Sequence, residues 1–200
     1  MNIYAFICTR SQELSKTTKE LVTYYSRCNI DVKLIVGSDS IFNGYKKAFQ
    51  QAKPKPNDII ILCHDDIEIV QKEGSFVETL VGSLANVKTG FIGPAGTTEL
   101  TESAIWWDQN QWKMGKHRGL VFHGIKFPNK CDTTFYGPYD DVAVLDGLFL
   151  ATKASVLTDI GLGKPNYLEG DWDFYDIHYT YAAKRKGYTN KAVGILLMHN

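Results

Sequence analysis

A histidine and two aspartates, His64, Asp65 and Asp66, follow directly after the most apolar run of the chain, residues 59–63. Adjacent carboxylates at the end of a buried strand are unfavourable unless a positive group neutralises them. A divalent cation would do so, and carboxylate oxygens suit Mg²⁺ or Mn²⁺, which in turn could hold a diphosphate. The alternative interpretation is that these residues only turn the chain and cap the following segment.

A further histidine, His199, ends the last apolar run, residues 194–198. If this run is a strand of the same sheet, His199 lies at the same sheet edge as His64-Asp65-Asp66 and is a second candidate metal ligand. The alternative is a purely structural histidine at a strand end.

Two more acidic segments have spacings that suit a site. Asp146-Gly147 lies between two apolar runs; the glycine permits close backbone approach to a ligand, and the aspartate can accept hydrogen bonds from sugar hydroxyls. An ordinary tight turn is the alternative. Asp173 and Asp176 are three residues apart, which predicts one face near a helix N-terminus. There the helix dipole stabilises a carboxylate, so each is either a cap or a general base.

Strand and helix patterns alternate in the first half of the chain. Apolar runs predict strands at residues 2–8, 32–36 and 59–63, and helical spacing predicts helices at residues 11–27 and 43–52. This order implies right-handed crossovers, and therefore a central, mostly parallel sheet with helices on both faces.

The second half is less regular. The pattern predicts a helix at 75–84 and a strand at 89–92. The glycines, aromatics and turn residues of 94–138 then predict a long, partly β-structured insertion, and loops of this size inside a compact domain usually have a function. The remaining pattern predicts strands at 142–145, 148–152 and 188–198, and helices at 153–159 and 173–186. Because no linker or repeat interrupts the pattern, we expect residues 1–200 to form one α/β domain.

Composition excludes several classes of protein. Lys plus Arg equals Asp plus Glu at 22 each, so the chain lacks the positive charge of a nucleic-acid binder. No apolar run approaches the ~20 residues of a membrane helix, and the first residues lack the basic region of a signal peptide. Four widely spaced cysteines indicate free thiols in a reducing compartment, the cytoplasm. Aromatic residues reach 12%, which suggests stacking against ring-shaped ligands.

Taken in order, these segments resemble the GT-A glycosyltransferases, and within them the family 2-like group typified by the streptomycin-biosynthesis StrF proteins. Residues 63–67 look like the group's variant of the metal-binding DxD motif, and 92–97 with the Trp106-Trp107 pair look like its G-x-A-G … W-W segment. Residues 144–149 resemble its acceptor-side glycine loop, and 172–177 its W-H-F-Y-D-x-D helix start.

The resemblance extends over almost the whole chain. Gly187-Tyr188 and His199 resemble the family's helix end and C-terminal metal histidine. Two positions depart from the pattern: Asp173 stands where the group usually has histidine, and His178 where it usually has a second aspartate. These departures concern the identity of the acceptor more than the fold.

The resemblance implies transfer of a sugar from a nucleotide-diphosphate sugar, with a UDP-sugar as the expected donor. The acceptor would be a hydroxyl of a glycan or of a lipid-linked or protein-linked sugar. Residues 1–93 would bind the donor and residues 94–200 the acceptor. Asp66 and His199 would hold Mn²⁺ or Mg²⁺. Asp176 aligns with the acid of the family's "ED" motif and would deprotonate the acceptor, which predicts inversion.

The remaining site residues follow from the same resemblance. The expected donor-binding residues are Thr9, Arg10, Ser38, Asp39, Asn43, Tyr45, His64, Asp65, Asp146 and Gly147. The expected acceptor-side residues are Trp106, Trp107, Trp112, His117 and Asp173. For Asn43 the alternative is ordinary helix capping, and for the tryptophans it is a packed lid over the core.

Two other functions compete with this interpretation. A non-catalytic sugar- or nucleotide-binding module would keep the tryptophans but would need neither Asp176 nor a metal. A sugar-phosphate nucleotidyltransferase normally has a glycine-rich, basic loop after its first strand, whereas residues 9–12 here read Thr-Arg-Ser-Gln. The chain end just after His199 fits a small stand-alone enzyme, bacterial or viral and then in the host cytoplasm, or one domain of a longer glycosyltransferase.

Overall fold

A computed structural model describes all residues, 1–200, and contains six helices and thirteen strands. The helices are α1 (Lys16–Arg27), α2 (Ile41–Ala52), α3 (Glu73–Ser83), α4 (Gln109–Lys113), α5 (Ala154–Ile160) and α6 (Tyr175–Arg185). The first seven strands are β1 (Ile3–Cys8), β2 (Asp31–Ile35), β3 (Ile59–Cys63), β4 (Ile67–Ile69), β5 (Thr89–Gly93), β6 (Ala95–Thr97) and β7 (His117–Lys126). The others are β8 (Lys130–Gly137), β9 (Asp141–Val142), β10 (Val144–Leu145), β11 (Phe149–Lys153), β12 (Thr189–Ala192) and β13 (Leu197–His199).

The larger sheet has seven strands in the order β2-β1-β3-β11-β5-β12-β9. Strands β1, β2 and β3 pair in parallel, as the alternating strand and helix patterns predict. Strand β11 enters antiparallel between β3 and β5, and β9 pairs antiparallel with β12 at the edge. The other five strands run in one direction, so the sheet is mostly parallel, as predicted. The α/β class, with sheets flanked by helices, is confirmed.

The smaller sheet forms one wall of the site described below. Its order is β10-β6-β7-β13-β4, with β8 paired to β7, so residues 94–138 supply most of it. The predicted single strand at 188–198 is wrong, because β12 belongs to the larger sheet and β13 to the smaller one. Strand β13 sets His199 opposite Ile67 of β4 and beside His123 of β7.

The core lies on both faces of the larger sheet. All five residues of β3 are buried, which is the expected pattern for a central strand covered on both sides. Each buried aliphatic side chain stabilises the fold by roughly 1.5–3 kcal/mol relative to exposure. This packing fixes the end of β3, and therefore the start of the His64-Asp65-Asp66 segment.

Several helix boundaries differ from the prediction. Ser15 caps α1 by accepting a hydrogen bond from the Thr18 backbone N–H, so residues 11–14 precede the helix. Helix α2 begins at Ile41 after Ser40, so Asn43 is not its N-cap. Helix α6 begins at Tyr175 rather than at 173, which places Asp173 outside it. None of the six helices combines the length and apolar character needed to span a bilayer.

Candidate active site

A cavity of about 440 Å³ lies where the end of β3, the end of β13, the loop before β11 and the start of α6 meet. Its lining residues are His64, Trp106, Trp107, His123, Tyr136, Asp146, Gly147, Leu148, Trp172, Asp173, Phe174, Tyr175, Asp176, Ile177 and His199. Both the predicted metal-binding segment and the predicted acidic helix start therefore contribute side chains to one cavity.

His64, Asp66 and His199 form a cluster of metal-ligand type. Their ligand atoms all lie within 4.8 Å of one another. Asp66 Oδ2 is 3.4 Å from His199 Nε2, and Asp66 Oδ1 is 3.7 Å from His64 Nδ1. The backbone N–H of Asn200 donates to the Asp66 carbonyl at 3.1 Å, which fixes the chain end beside this carboxylate.

All three groups of this cluster have shifted pKa values, and Asp66 interacts with both histidines. Burial would raise the pKa of Asp66, but the hydrogen bond from His199 and the nearby histidine charges lower it overall. The same hydrogen bond raises the pKa of His199. Burial lowers the pKa of His64, which therefore favours the neutral imidazole that a metal ligand requires.

The donor set fits a divalent cation of the Mn²⁺ or Mg²⁺ type. Asp66 Oδ1 is buried and has no hydrogen-bond partner, which is the environment expected of a carboxylate oxygen that faces a cation. Two imidazoles and one carboxylate suit Mn²⁺ better than Mg²⁺, which prefers oxygen ligands.

Two carboxylates, Asp146 and Asp176, face the same cavity and are joined through the backbone of Gly147. The Gly147 N–H donates to Asp176 Oδ2 at 2.9 Å, and the Gly147 carbonyl accepts from the Tyr175 hydroxyl at 2.6 Å. A β-carbon on Gly147 would lie 2.5 Å from that hydroxyl, so only glycine fits here. The glycine therefore allows helix α6 to pack closely against this loop.

The carboxylates of this pair have raised pKa values. Burial raises the pKa of Asp146 to about 7, and the neighbouring charge of Asp176 adds to the effect. Burial raises the pKa of Asp176 to about 6, although the Ile177 and Gly147 N–H groups oppose it. A carboxylate that ionises near pH 6 is matched to general-base catalysis near neutrality.

Replacement of Asp146 by asparagine is expected to stabilise the fold at pH 8. The pKa of Asp146 in the folded state is raised above the usual 3.8. Its contribution to the free energy of unfolding is therefore fully present at low pH and is lost as the pH rises through about 7. The asparagine side chain cannot ionise, and its oxygen still accepts the hydrogen bond from the Leu148 N–H. We therefore expect the free energy of unfolding at pH 8 to rise by about 2 kcal/mol, half of the value that corresponds to the full pKa shift. Urea unfolding in chelator from pH 5 to 8 measures it. If the free energy of unfolding changed with pH in the same way in the wild type and the variant, Asp146 would not ionise at a cost to the fold.

The predicted donor-binding residues at the ends of β1 and β2 lie beside the cavity rather than in it. The Arg10 guanidinium stacks 4.6 Å above the Trp172 ring, and Trp172 Nε1 donates to the Asp39 carbonyl at 3.2 Å. The Ser38 N–H donates to the Thr9 carbonyl at 3.0 Å. Trp172 also lines the cavity, so it connects this edge of the sheet to the candidate active site.

Three of the predicted donor contacts have other environments. Tyr45 is fully buried, and its hydroxyl donates to the Cys63 carbonyl at 3.4 Å, so its ring is a core element that a nucleotide does not reach. Asn43 is exposed and lies 3.5 Å from the Asp39 carboxylate. Asp65 does not line the cavity, and its carbonyl accepts from the Thr18 hydroxyl.

The predicted acceptor-side aromatics divide into buried and exposed members. Trp106 and His117 are buried, and His117 Nε2 donates to the Trp106 carbonyl at 2.6 Å. Trp112 is half exposed and packs on Tyr136, outside the cavity. Only Trp107, 56% exposed, combines cavity lining with an open ring face. His117 and most of Trp106 therefore form a packed support, which is the alternative left open by the sequence.

Alanine substitutions of the two adjacent tryptophans should separate these roles. Trp106→Ala should lower the free energy of unfolding by about 3–5 kcal/mol, because it removes a large buried side chain. Trp107→Ala should change it by less than about 1 kcal/mol and act on acceptor KM instead. Urea unfolding and acceptor kinetics measure the two effects. Equal loss of stability in both variants would contradict the division.

Other cavity residues were missed by sequence reasoning. His123 lies on β7 with its ring 6.0 Å from that of His199, and Tyr136 lies on the paired strand β8. Phe174 precedes α6 with a φ of 57°, a left-handed conformation rare outside glycine. Trp172 and Tyr175 belonged to the recognised motif but carried no predicted role. Only the motif around 172–177 offered a signal for any of them.

The α/β fold brings a cluster of metal-ligand type and two carboxylates together beside the end of β3, the position at which open α/β sheets bind their ligands. A family model described as a glycosyltransferase-like family matches residues 6–195. The chain belongs to this family, and the resemblance of its motifs to the family 2-like glycosyltransferases is confirmed. Membership supports a transferase with a sugar donor and an acceptor.

A solved structure agrees with this assignment at the level of the fold. The crystal structure of A197 from STIV is similar to the chain with a TM-score of 0.53 and 11% sequence identity, covering 96% of this chain and 82% of that chain. Among the curated proteins, no match was found.

Proposed function

We propose that the protein is a metal-dependent, inverting glycosyltransferase that uses a nucleotide-diphosphate sugar, with a UDP-sugar as donor. One observation carries the proposal: the two histidines of the His64–Asp66–His199 cluster and both carboxylates of the Asp146–Asp176 pair line the same cavity of about 440 Å³. Family membership supports the reaction class, and the cavity supports the roles of individual residues.

In this proposal the diphosphate lies at the cluster of His64, Asp66 and His199. A bound Mn²⁺ or Mg²⁺ would act there as a Lewis acid that offsets the charge developing on the departing diphosphate. The nucleoside would extend towards the ends of β1 and β2, past the stacked Arg10 and Trp172. Backbone and side-chain groups of Thr9, Ser38 and Asp39 would lie along that path.

Asp176 is the proposed general base. Both of its oxygens accept a backbone N–H bond, at 2.9 Å from Gly147 and 2.8 Å from Ile177, which holds the carboxylate in one orientation. Each carboxylate oxygen has a second acceptor site, which leaves capacity for an acceptor hydroxyl. Asp146, on the other side of Gly147, would orient the transferred sugar by accepting from its hydroxyls.

The chemical step is a single displacement. The acceptor oxygen forms a bond to the anomeric carbon while its proton passes to the Asp176 carboxylate. The bond from the anomeric carbon to the phosphate oxygen breaks, and its electron pair leaves with the nucleoside diphosphate. Because attack and departure occur on opposite faces of the sugar, the configuration inverts. Trp107 and Asp173 would contact the acceptor on the open side of the cavity.

A thermal-shift screen with UDP-, GDP-, dTDP- and CMP-sugars, each with and without Mn²⁺, tests the donor assignment. A ligand at a hundredfold excess over its Kd stabilises the fold by about 2.7 kcal/mol, so a bound donor raises Tm by several degrees. The proposal expects the largest increase for a UDP-sugar with Mn²⁺. An unchanged Tm with all four nucleotides would contradict it.

A further inference from the structure

A second cavity, larger and more apolar, adjoins the candidate active site. It has a volume of about 720 Å³, and eight of its 11 lining residues are hydrophobic. It lies along helix α6, between this helix and the segments around residues 100–104 and 167–168. Its size and apolar lining are typical of sites that bind small molecules.

Phe174 and Ile177 line both cavities. Phe174 is held in a left-handed conformation just before α6, with its side chain 40% exposed. Because these two residues border both cavities, the cavities adjoin at the start of α6.

The polar groups of the second cavity are few, and three of them are hydrogen-bonded within the protein. The Tyr167 hydroxyl and His178 Nδ1 lie 2.8 Å apart and form a hydrogen bond. The Ser103 hydroxyl is 2.8 Å from that of Thr101. Arg185, at the end of α6, is the only cation among the lining residues. An occupant that needs little hydrogen bonding fits this lining.

We propose that the second cavity binds the apolar aglycone of the acceptor, an alkyl or aryl group attached to the sugar whose hydroxyl enters the active-site cavity. The inference rests on the proposed transferase function, because it names part of that reaction's acceptor. It also gives a role to the exposed Tyr181, which is 43% exposed on α6 and lines only this cavity.

Binding of two glycosides that share one sugar tests the aglycone site. Isothermal titration would compare n-octyl β-D-glucopyranoside, below its critical micelle concentration, with methyl β-D-glucopyranoside. The wild type should bind the octyl glycoside at least about tenfold more tightly, because apolar surface is removed from water only in that case. Equal binding of the two glycosides would overturn the proposal.

Two variants of the second cavity and one control test whether the preference for the octyl glycoside comes from this cavity. Ala182→Trp fills the cavity and should abolish the preference for the octyl chain, and Tyr181→Ala, at a half-exposed position, should reduce it several-fold. Tyr139→Ala removes a tyrosine of similar exposure, 45%, that lines neither cavity, and should keep the preference. A preference that survives in both cavity variants would overturn the assignment.

Two further measurements separate the alternatives. Sedimentation that shows a dimer weakened by Ala182→Trp, with no octyl preference, would identify a second copy of the chain as the occupant and overturn the proposal. Nucleoside diphosphate release by the wild type reports on the transferase function itself. Octyl preference without release would refute that function, and release without preference would refute the aglycone site alone.

Discussion

Asp176→Asn should lower the turnover of sugar transfer by about 10²- to 10⁴-fold, the range that a positioned general base supplies. Asparagine keeps the size of the side chain and one oxygen acceptor, but it cannot take the proton of an acceptor hydroxyl. Donor binding should be unchanged, because the proposed diphosphate position is at the His64–Asp66–His199 cluster. Steady-state kinetics together with donor titration separate the two effects.

Asp173→Asn is the matched control for this experiment. Asp173 lines the same cavity but is exposed and lies outside helix α6, and we place it on the acceptor side. Its substitution should raise acceptor KM and leave kcat within about tenfold. Turnover of the Asp176 variant close to that of the wild type would remove the base assignment, and with it the argument for inversion.

The wild-type pH profile supplies a second test of the base. Because burial raises the pKa of Asp176 to about 6, kcat should fall as the pH drops through about 6 and the carboxylate takes up a proton.

Asp66→Asn should abolish Mn²⁺ binding and lower transfer by about 10²- to 10³-fold, since Lewis-acid stabilisation of the leaving group contributes several kcal/mol. Asp66 is the residue that contacts both histidines, at 3.4 Å from His199 Nε2 and 3.7 Å from His64 Nδ1. The amide removes the negative charge that a cation requires. Titration of Mn²⁺, followed by electron paramagnetic resonance, measures binding without reference to activity.

Asp65→Asn provides the control within the same motif. Asp65 is the preceding residue and is not part of the cluster, so its variant should bind Mn²⁺ with wild-type affinity. If the Asp65 and Asp66 variants lost Mn²⁺ binding to the same extent, the cluster would not be the metal site. His199→Ala should weaken Mn²⁺ binding as well, because its imidazole is one of the three ligands.

The sequence predicted the parts of the fold that depend on local pattern. The apolar run at 59–63 predicted a strand inside the sheet, since a strand covered on both faces is apolar throughout and five residues are too few for a typical helix. The antiparallel insertion of β11 beside β3 could not be predicted, because strand order depends on long-range pairing. For the same reason the apolar pattern at 188–198 predicts a single strand, although residues 193–196 lead the chain from one sheet to the other.

The site was predictable where residues are adjacent in sequence and not where they meet through the fold. His64-Asp65-Asp66 and the 172–177 segment were found because their motifs are contiguous. His123 reaches the site only because β7 pairs with β13, which no local pattern reveals. The burial of Tyr45 and His117 likewise depends on which neighbours cover them, so their residue types alone suggested contacts that the fold does not provide.

Release of nucleoside diphosphate from a panel of nucleotide sugars tests the central claim most directly. The wild-type protein with Mn²⁺ should release UDP from a UDP-sugar, and the rate should rise further when an acceptor is added. Chelation by EDTA should stop the release, and added Mn²⁺ should restore it. Full release in EDTA, or no release from any nucleotide sugar with Mn²⁺ and acceptors present, would contradict a metal-dependent glycosyltransferase.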